Sequence, residues 1–218
     1  MISSEKPQSP FNPSQTFYIT PHCSFTKNIQ ILDLTPHLTV PYTDPTFPSH
    51  AKQVAKQIAK QAQFPPSITI QKDNISGTRY LILDPNKNAN DNEIATWKAS
   101  HFSTGPSHLT FPAQSPHSSH TITLRPPRRF LSRNESFVHN SATYTWAYES
   151  WIHPSRVALW RELPGGGKKL LARYWQGIDW RTGGTIVVEG EEVDAVIAVV
   201  TCVVLLKKKR QRRLERSG

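Results

Sequence analysis

Lys207-Lys208-Lys209-Arg210-Gln211-Arg212-Arg213 is the densest run of charge in this chain of 218 residues. Neighbouring ammonium and guanidinium groups attract phosphate and carboxylate, and a guanidinium can do so through two parallel hydrogen bonds. A second basic group, Arg125, Arg128, Arg129 and Arg133, surrounds Pro126 and Pro127. Anion binding is therefore the chemistry these residue types support best. Lys207, Lys208, Lys209, Arg210, Arg212 and Arg213 are its main candidates, and Arg125, Arg128 and Arg129 form a second set. The plainer reading makes the first group a solvated helix end and the second a solvated crossover.

Other constellations carry less. Gly165-Gly166-Gly167-Lys168-Lys169 superficially suggests a phosphate loop. That loop needs a glycine where this chain has Glu162, and a Ser or Thr where it has Lys169. A hairpin turn explains the glycines better. His117 and His120, with His108 nearby, have ligand-like spacing. A metal site wants three or four fixed ligands and a supporting shell, whereas this stretch is rich in Ser and Pro. The chain has neither a G-x-S-x-G nucleophile elbow nor an H-E-x-x-H motif. Asp84, Glu149, Asp179 and Asp194 show no paired spacing that nominates an acid–base couple. No catalytic residue, metal ligand or cofactor is nominated, so the expectation is a protein that is not an enzyme.

The elements that must position the basic run begin just before it. Val193–Leu206 (VDAVIAVVTCVVLL) contains nine large aliphatic residues in fourteen positions. As a helix it would span about 21 Å, short of a bilayer core of about 30 Å. Each aliphatic side chain gains roughly 1.5–3 kcal/mol on burial, so the run must be covered. Apolar residues occur all round its helical wheel, as in a core helix or a membrane span. Glu189, Glu191, Glu192 and Asp194 before it and Lys207–Arg210 after it agree with a helix macrodipole. The reading taken is a helix sheathed by strands. A short C-terminal membrane anchor is the main competitor, followed by a buried strand or a partner-binding helix. Cys202 should then be a buried, inert thiol.

Upstream, residues 1–49 hold eight prolines among Ser, Thr, Gln and Asn, and read as a disordered arm. Within it, Ile29–Leu34 could form an edge strand or a linear motif. His50–Gln63 predicts a short amphipathic helix, with Ala51, Val54, Ala55, Ile58, Ala59 and Ala62 on one face and Pro65-Pro66 as its stop. From Ser67 the pattern turns to strands: 67–73, 79–84, 93–99 and 120–126, with 101–119 as an inserted loop. Ser136–Trp151 gives the strongest strand signal, with Tyr144, Trp146 and Tyr148 on one face. Residues 157–163 and 169–176 flank the glycine hairpin, and 185–190 precede the apolar helix.

Charge is concentrated at the end. The formal net charge is +10, of which Lys207–Gly218, with seven Lys or Arg and one Glu, supplies +6. Such an end attracts anionic lipid, nucleic acid or an import receptor. Single-strand binding would want aromatics interleaved with the cations, and the tail has none. Two cysteines, Cys23 and Cys202, give no disulfide or metal framework. No secretory leader is visible, and the expected location is intracellular.

The succession of Tyr144-x-Trp146, Leu159-Trp160-Arg161, Leu171-Ala172-Arg173-Tyr174, Ile186-Val187-Val188 and Asp194–Leu206 followed by Lys207–Arg210 resembles fungal tubby C-terminal-like domain proteins. These in turn are similar to the LURP-one-related and phospholipid-scramblase group. The resemblance covers residues 67–210, most securely 136–210. It implies a mainly β fold, an antiparallel β-barrel of about twelve strands enclosing the C-terminal apolar helix. It also implies a non-catalytic binding or adaptor role. Tubby domains bind phosphoinositide headgroups through basic side chains, and scramblase-like members associate with membranes. No position-specific motif here matches tubby's lipid-binding residues. The palmitoylated Cys-rich segment and the acidic calcium loop of scramblases are also missing, so scrambling is not implied.

The expected organisation is a disordered arm (1–49), a short helix (50–66), a barrel with its central helix at about 193–206 (67–206) and a basic tail (207–218). The expected partner is an anionic phospholipid or phosphoinositide, with a protein partner at the arm or at helix 50–63. The alternative is a nuclear or nucleic-acid-associated protein using the tail.

Overall fold

A computed structural model describes residues 10–21, 28–61, 64–73, 76, 78–89, 91–127, 133–149, 155–176 and 183–217. Twelve strands form one antiparallel sheet: β1 (Gln15–Ile19), β2 (Ile29–Asp33), β3 (Ile68–Lys72), β4 (Arg79–Leu83), β5 (Glu93–Lys98), β6 (Ser107–Thr110), β7 (Ile122–Leu124), β8 (Glu135–His139), β9 (Ala142–Tyr148), β10 (Arg156–Glu162), β11 (Lys168–Gln176) and β12 (Gly184–Val188). Two helices complete the fold, α1 (Phe47–Ile58) and α2 (Ala195–Ser217). Every strand pairs with its sequence neighbour except at two places. β1 pairs with β12, and β7 meets β8 only through a bridge between Arg125 and Ser136. Two backbone hydrogen bonds of 2.8 and 3.0 Å make that bridge, so the barrel is nearly closed.

Alternation decides what the barrel encloses. Phe17, Ile19, Ile31, Ile70, Ile82, Trp97, Leu109, Leu124, Phe137, Trp146, Leu159, Tyr174 and Ile186 belong to one buried cluster with Ile197–Leu206 of α2. Residues Ile197 to Leu205 are at most 1% exposed. The apolar half of α2 is therefore sheathed by the protein's own strands, which removes the need for lipid around it. No described helix is long and apolar enough to cross a membrane. Thr201 is accommodated inside because its hydroxyl donates to the Ile197 carbonyl at 2.7 Å and accepts from the Trp146 indole at 2.9 Å.

The N-terminal boundary needs correction. Residues 1–49 are not a disordered arm throughout: β1 and β2 lie in mid-sheet between β12 and β3. Thr16-Phe17-Tyr18-Ile19 and Ile29-Gln30-Ile31-Leu32 are β-prone, but the surrounding prolines hid them in a composition average. Ile29–Asp33 is not an edge strand. Helix α1 starts and ends earlier than 50–66, with Pro48 in its first turn. Its apolar face packs outside the barrel: Ala51, Val54, Ala55 and Ile58 bury Tyr18, Leu32 and Leu34. That face is not open to a protein partner. Strand β12 is consequently buried on both sides. The segment 101–119 is not wholly the expected loop: it contains a strand, β6.

Two turns follow the residues present. Leu163–Gly167 forms the hairpin expected between β10 and β11, with Gly165 and Gly166 both at φ +89°. Asn140 and Ser141, at φ 47° and 61°, turn β8 into β9.

Candidate anion-binding site at the barrel mouth

The basic end is not a tail. Helix α2 continues unbroken from Ala195 to Ser217, so residues 207–217 form its outer half and fill one mouth of the barrel. Three successive lysines meet three different walls. Lys207 Nζ donates to the Tyr80 hydroxyl of β4 at 2.7 Å and lies 4.2 Å from the Tyr80 ring centroid and 5.1 Å from that of Trp97. Lys208 Nζ reaches Glu135 Oε2 of β8 at 2.7 Å. Lys209 Nζ donates to Gln176 Oε1 of β11 at 2.9 Å and lies 5.5 Å from the Tyr148 ring.

Lys207 and Lys208 are therefore corrected as headgroup contacts: both are buried. The Lys208 and Glu135 side chains are 2% and 0% exposed. Arg212 also binds Glu135, through Oε1, and donates to the Arg133 carbonyl at 2.8 Å. Burial pushes the Glu135 carboxyl up, against the pull of Lys208 and Arg212. The same burial lowers Lys208, against the pull of Glu135. This triad anchors the helix in the wall.

Beside it lies a cleft of about 220 Å³ lined by Arg133, Tyr148, Lys209, Arg212, Arg213 and Arg216. Lys209, Arg212, Arg213 and Arg216 follow the i, i+3, i+4, i+7 spacing of one helix face. Tyr148 is the outermost inward residue of β9, and Arg133 precedes β8. The lining has five cationic side chains, one phenol and no carboxylate. Burial lowers Lys209 to about 8, and repulsion from the neighbouring Arg213 adds to it. Burial also raises Tyr148, against the neighbouring arginines, which keeps the phenol a hydrogen-bond donor. Like charges held together in a partly desolvated cleft are relieved by an anion, so the arrangement suits a phosphate oxygen cluster.

Of the sequence candidates, Lys209, Arg212 and Arg213 meet in this cleft. Arg210 points elsewhere on the helix, close enough to Tyr80 to oppose the rise of its phenol. Arg125 stands exposed at the seam beside Ser136. Arg128 and Arg129 lie outside the described residues. Arg216 and Tyr148 were not among the candidates. Arg216 was legible in principle once helical spacing was extended past Leu206. Tyr148 could be linked to the cleft only through its strand register.

At the opposite mouth, Asp194 caps α2 by accepting from the Ile197 amide at 3.0 Å and pairs with His117 Nδ1 at 2.9 Å. Glu189 and Glu192 bind Lys169, and Glu192 also binds Arg161, so these acids staple the turn before α2 to β10 and β11 instead of sitting in its first turn. Among the described residues no group of three or more His, Cys, Asp or Glu is placed to hold a metal ion. Cys202 is fully buried, which pushes its thiol up. No family model matches the chain, and no curated protein or solved structure matches it.

Proposed function

We propose that this protein is a non-catalytic, tubby-like binding or adaptor module whose mouth cleft takes the phosphate of an anionic phospholipid or phosphoinositide headgroup. The observation that carries the reading is the convergence of Arg133, Lys209, Arg212, Arg213 and Arg216 around Tyr148 with no carboxylate in the lining. The cleft stands on a rigid scaffold, because Arg212 is fixed by Glu135 and by the Arg133 carbonyl. The reading makes the protein a peripheral one inside the cell, on an anionic leaflet.

The nuclear or nucleic-acid alternative has less support. Lys207 and Lys208 are buried and the run is helical, so a receptor reading it as an extended peptide would first have to unwind it.

Co-sedimentation with vesicles is the test. Each basic residue near an anionic surface contributes about 1 kcal/mol, so Arg213→Gln with Arg216→Gln should weaken binding roughly thirtyfold. Binding to vesicles containing phosphatidylserine or a phosphoinositide should fall with added salt. Equal recovery on neutral and anionic vesicles would overturn the reading.

A further inference from the structure

Phe102 and Leu214 are 70% and 60% exposed, the most exposed of the large apolar side chains among the described residues. Isolated exposed apolar residues are ordinary on a protein surface. These two are not isolated from each other. The residue after each joins the same contact: the Ser103 amide and hydroxyl donate to the Glu215 carboxylate at 2.8 and 2.5 Å. One turn earlier, Gln211 Nε2 donates to the carbonyls of Ser100 at 3.1 Å and His101 at 3.4 Å. The loop after β5 is thereby tied to the outer half of α2, and Phe102 and Leu214 are carried to the same end of the barrel. That end is the one with the basic cleft. Lys209, Arg212, Arg213 and Arg216 occupy one side of α2, Gln211 and Glu215 the other, and Leu214 lies between the flank of Arg210 and that of Gln211. A surface laid across the end of the helix meets cations on one side and the two apolar side chains on the other.

We propose that Phe102 and Leu214 are apolar anchors that enter the interfacial layer of an anionic bilayer while the cleft holds its headgroups, so that the protein docks with the outer end of α2 toward the membrane. The inference rests on the headgroup reading above and adds the orientation and the anchor residues. Charge complementarity selects the occupant. Cations next to solvent-facing Phe and Leu match a surface that is anionic outside and apolar a few ångströms deeper. The nearby acid, Glu215, is engaged by Ser103, whose hydrogen bonds hold its carboxyl below the usual range. A free phosphorylated headgroup would fill the cleft and leave both anchors in water. An acidic protein would cover them without lipid contact.

The full chain in a Cys23→Ser background is labelled with a polarity-sensitive fluorophore at Phe102→Cys, Leu214→Cys or, on the barrel wall, Val138→Cys. Cys202 is fully buried and does not compete for label. Vesicles of phosphatidylcholine with phosphatidylserine should shift the emission at 102 and 214 to the blue and expose both probes to lipid-borne quenchers, with no change at 138. Inositol hexakisphosphate should shift neither. The unlabelled double variant Phe102→Ser with Leu214→Ser, its fold checked by circular dichroism, should bind these vesicles at least about tenfold more weakly. If the protein sediments with the vesicles while both probes stay in water and the double variant binds normally, the anchors are wrong and the headgroup reading stands. A blue shift unaffected by lipid-borne quenchers would also overturn the bilayer anchor. A protein that does not sediment defeats both.

Discussion

Glu135 holds two cations at once inside a wall built mainly of Phe, Tyr, Trp and aliphatic side chains. Lys208 and Arg212 cannot leave, because they belong to the same helix that fills the barrel, and Glu135 is fixed on β8. Removing the carboxylate strands two cations, one of them fully buried, and breaking such a pair from one side costs about 3–5 kcal/mol. Glu135→Leu should therefore lower the thermal midpoint by many degrees. Adding Lys208→Met to that variant should recover part of the loss in a denaturation cycle. The cleft residue Lys209 makes a different prediction. Its folded value of about 8 means it loses charge as pH rises through 8, whereas a bound anion favours its charged form. Anion affinity should therefore fall between pH 7 and 9 and binding near pH 8.5 should take up protons. Calorimetry in buffers of different ionisation enthalpy measures that uptake. None of the pairings among Lys207, Lys208 and Lys209 was legible in the sequence. Consecutive residues on a helix point 100° apart, and only the finished barrel shows which wall each side chain meets.

At the scale of the element, α2 is two helices in one: an apolar half that had to be covered, and that the strands do cover, and a charged half whose outer turns face water. The apolar half was legible because no arrangement of so many aliphatics in water is affordable. The charged half was read as a tail because amphipathic periodicity is masked when nearly every residue is Lys or Arg. Strands β3, β4, β5, β7 and β10 to β12 were legible from alternation and turns; β8 and β9 were legible only as one stretch, 136–151, which the turn at Asn140 and Ser141 divides; β1, β6 and a mid-sheet β2 were not legible, since short strands between prolines leave too few residues to alternate. The start of α2 is set by Asp194. Burial raises its carboxyl, but hydrogen bonds from His117 and the Ile197 amide outweigh this and hold it below the ordinary value. A carboxyl depressed in the folded state contributes stability that is full above its unfolded value and is lost as pH falls through the folded one. Asp194→Asn keeps a capping oxygen and removes the charge, so its stability should match the parent most closely at acid pH, below the folded value. Asp194→Ala should cost about 1 kcal/mol more than Asn at neutral pH. Urea titrations at pH 7 and 3 separate the two.

For the whole molecule, closure is the property on which the rest depends, and it is unevenly distributed. β1 and β2 join the two halves of the sheet, so deleting residues 1–34 should abolish cooperative unfolding, whereas a loose arm could be removed at little cost. The weak point is the β7–β8 seam. Its hydrogen-bonded end is the bridge between Arg125 and Ser136. At its other end the His120 and His139 rings stack at 5.5 Å. The groups facing this stack are Asp194 at the start of α2, its partner His117, and Tyr144 on β9, 6.4 Å from His139. Burial lowers His139, and His120 lowers it further, against the weaker upward pull of Asp194. A histidine depressed in the folded state binds fewer protons there than in the unfolded chain, so folding loses stability as pH drops below the ordinary histidine value. Charging His139 would set a cation against the His120 ring across the line where few backbone hydrogen bonds resist separation. Amide exchange in β7 and β8, corrected for intrinsic rate, should therefore accelerate between pH 7 and 5 more than in β10 and β11. His139→Phe, which keeps a ring against His120 and cannot ionise, should remove most of that difference. Uniform acceleration across all twelve strands would mean that acid acts on the barrel globally and that the seam has no special sensitivity.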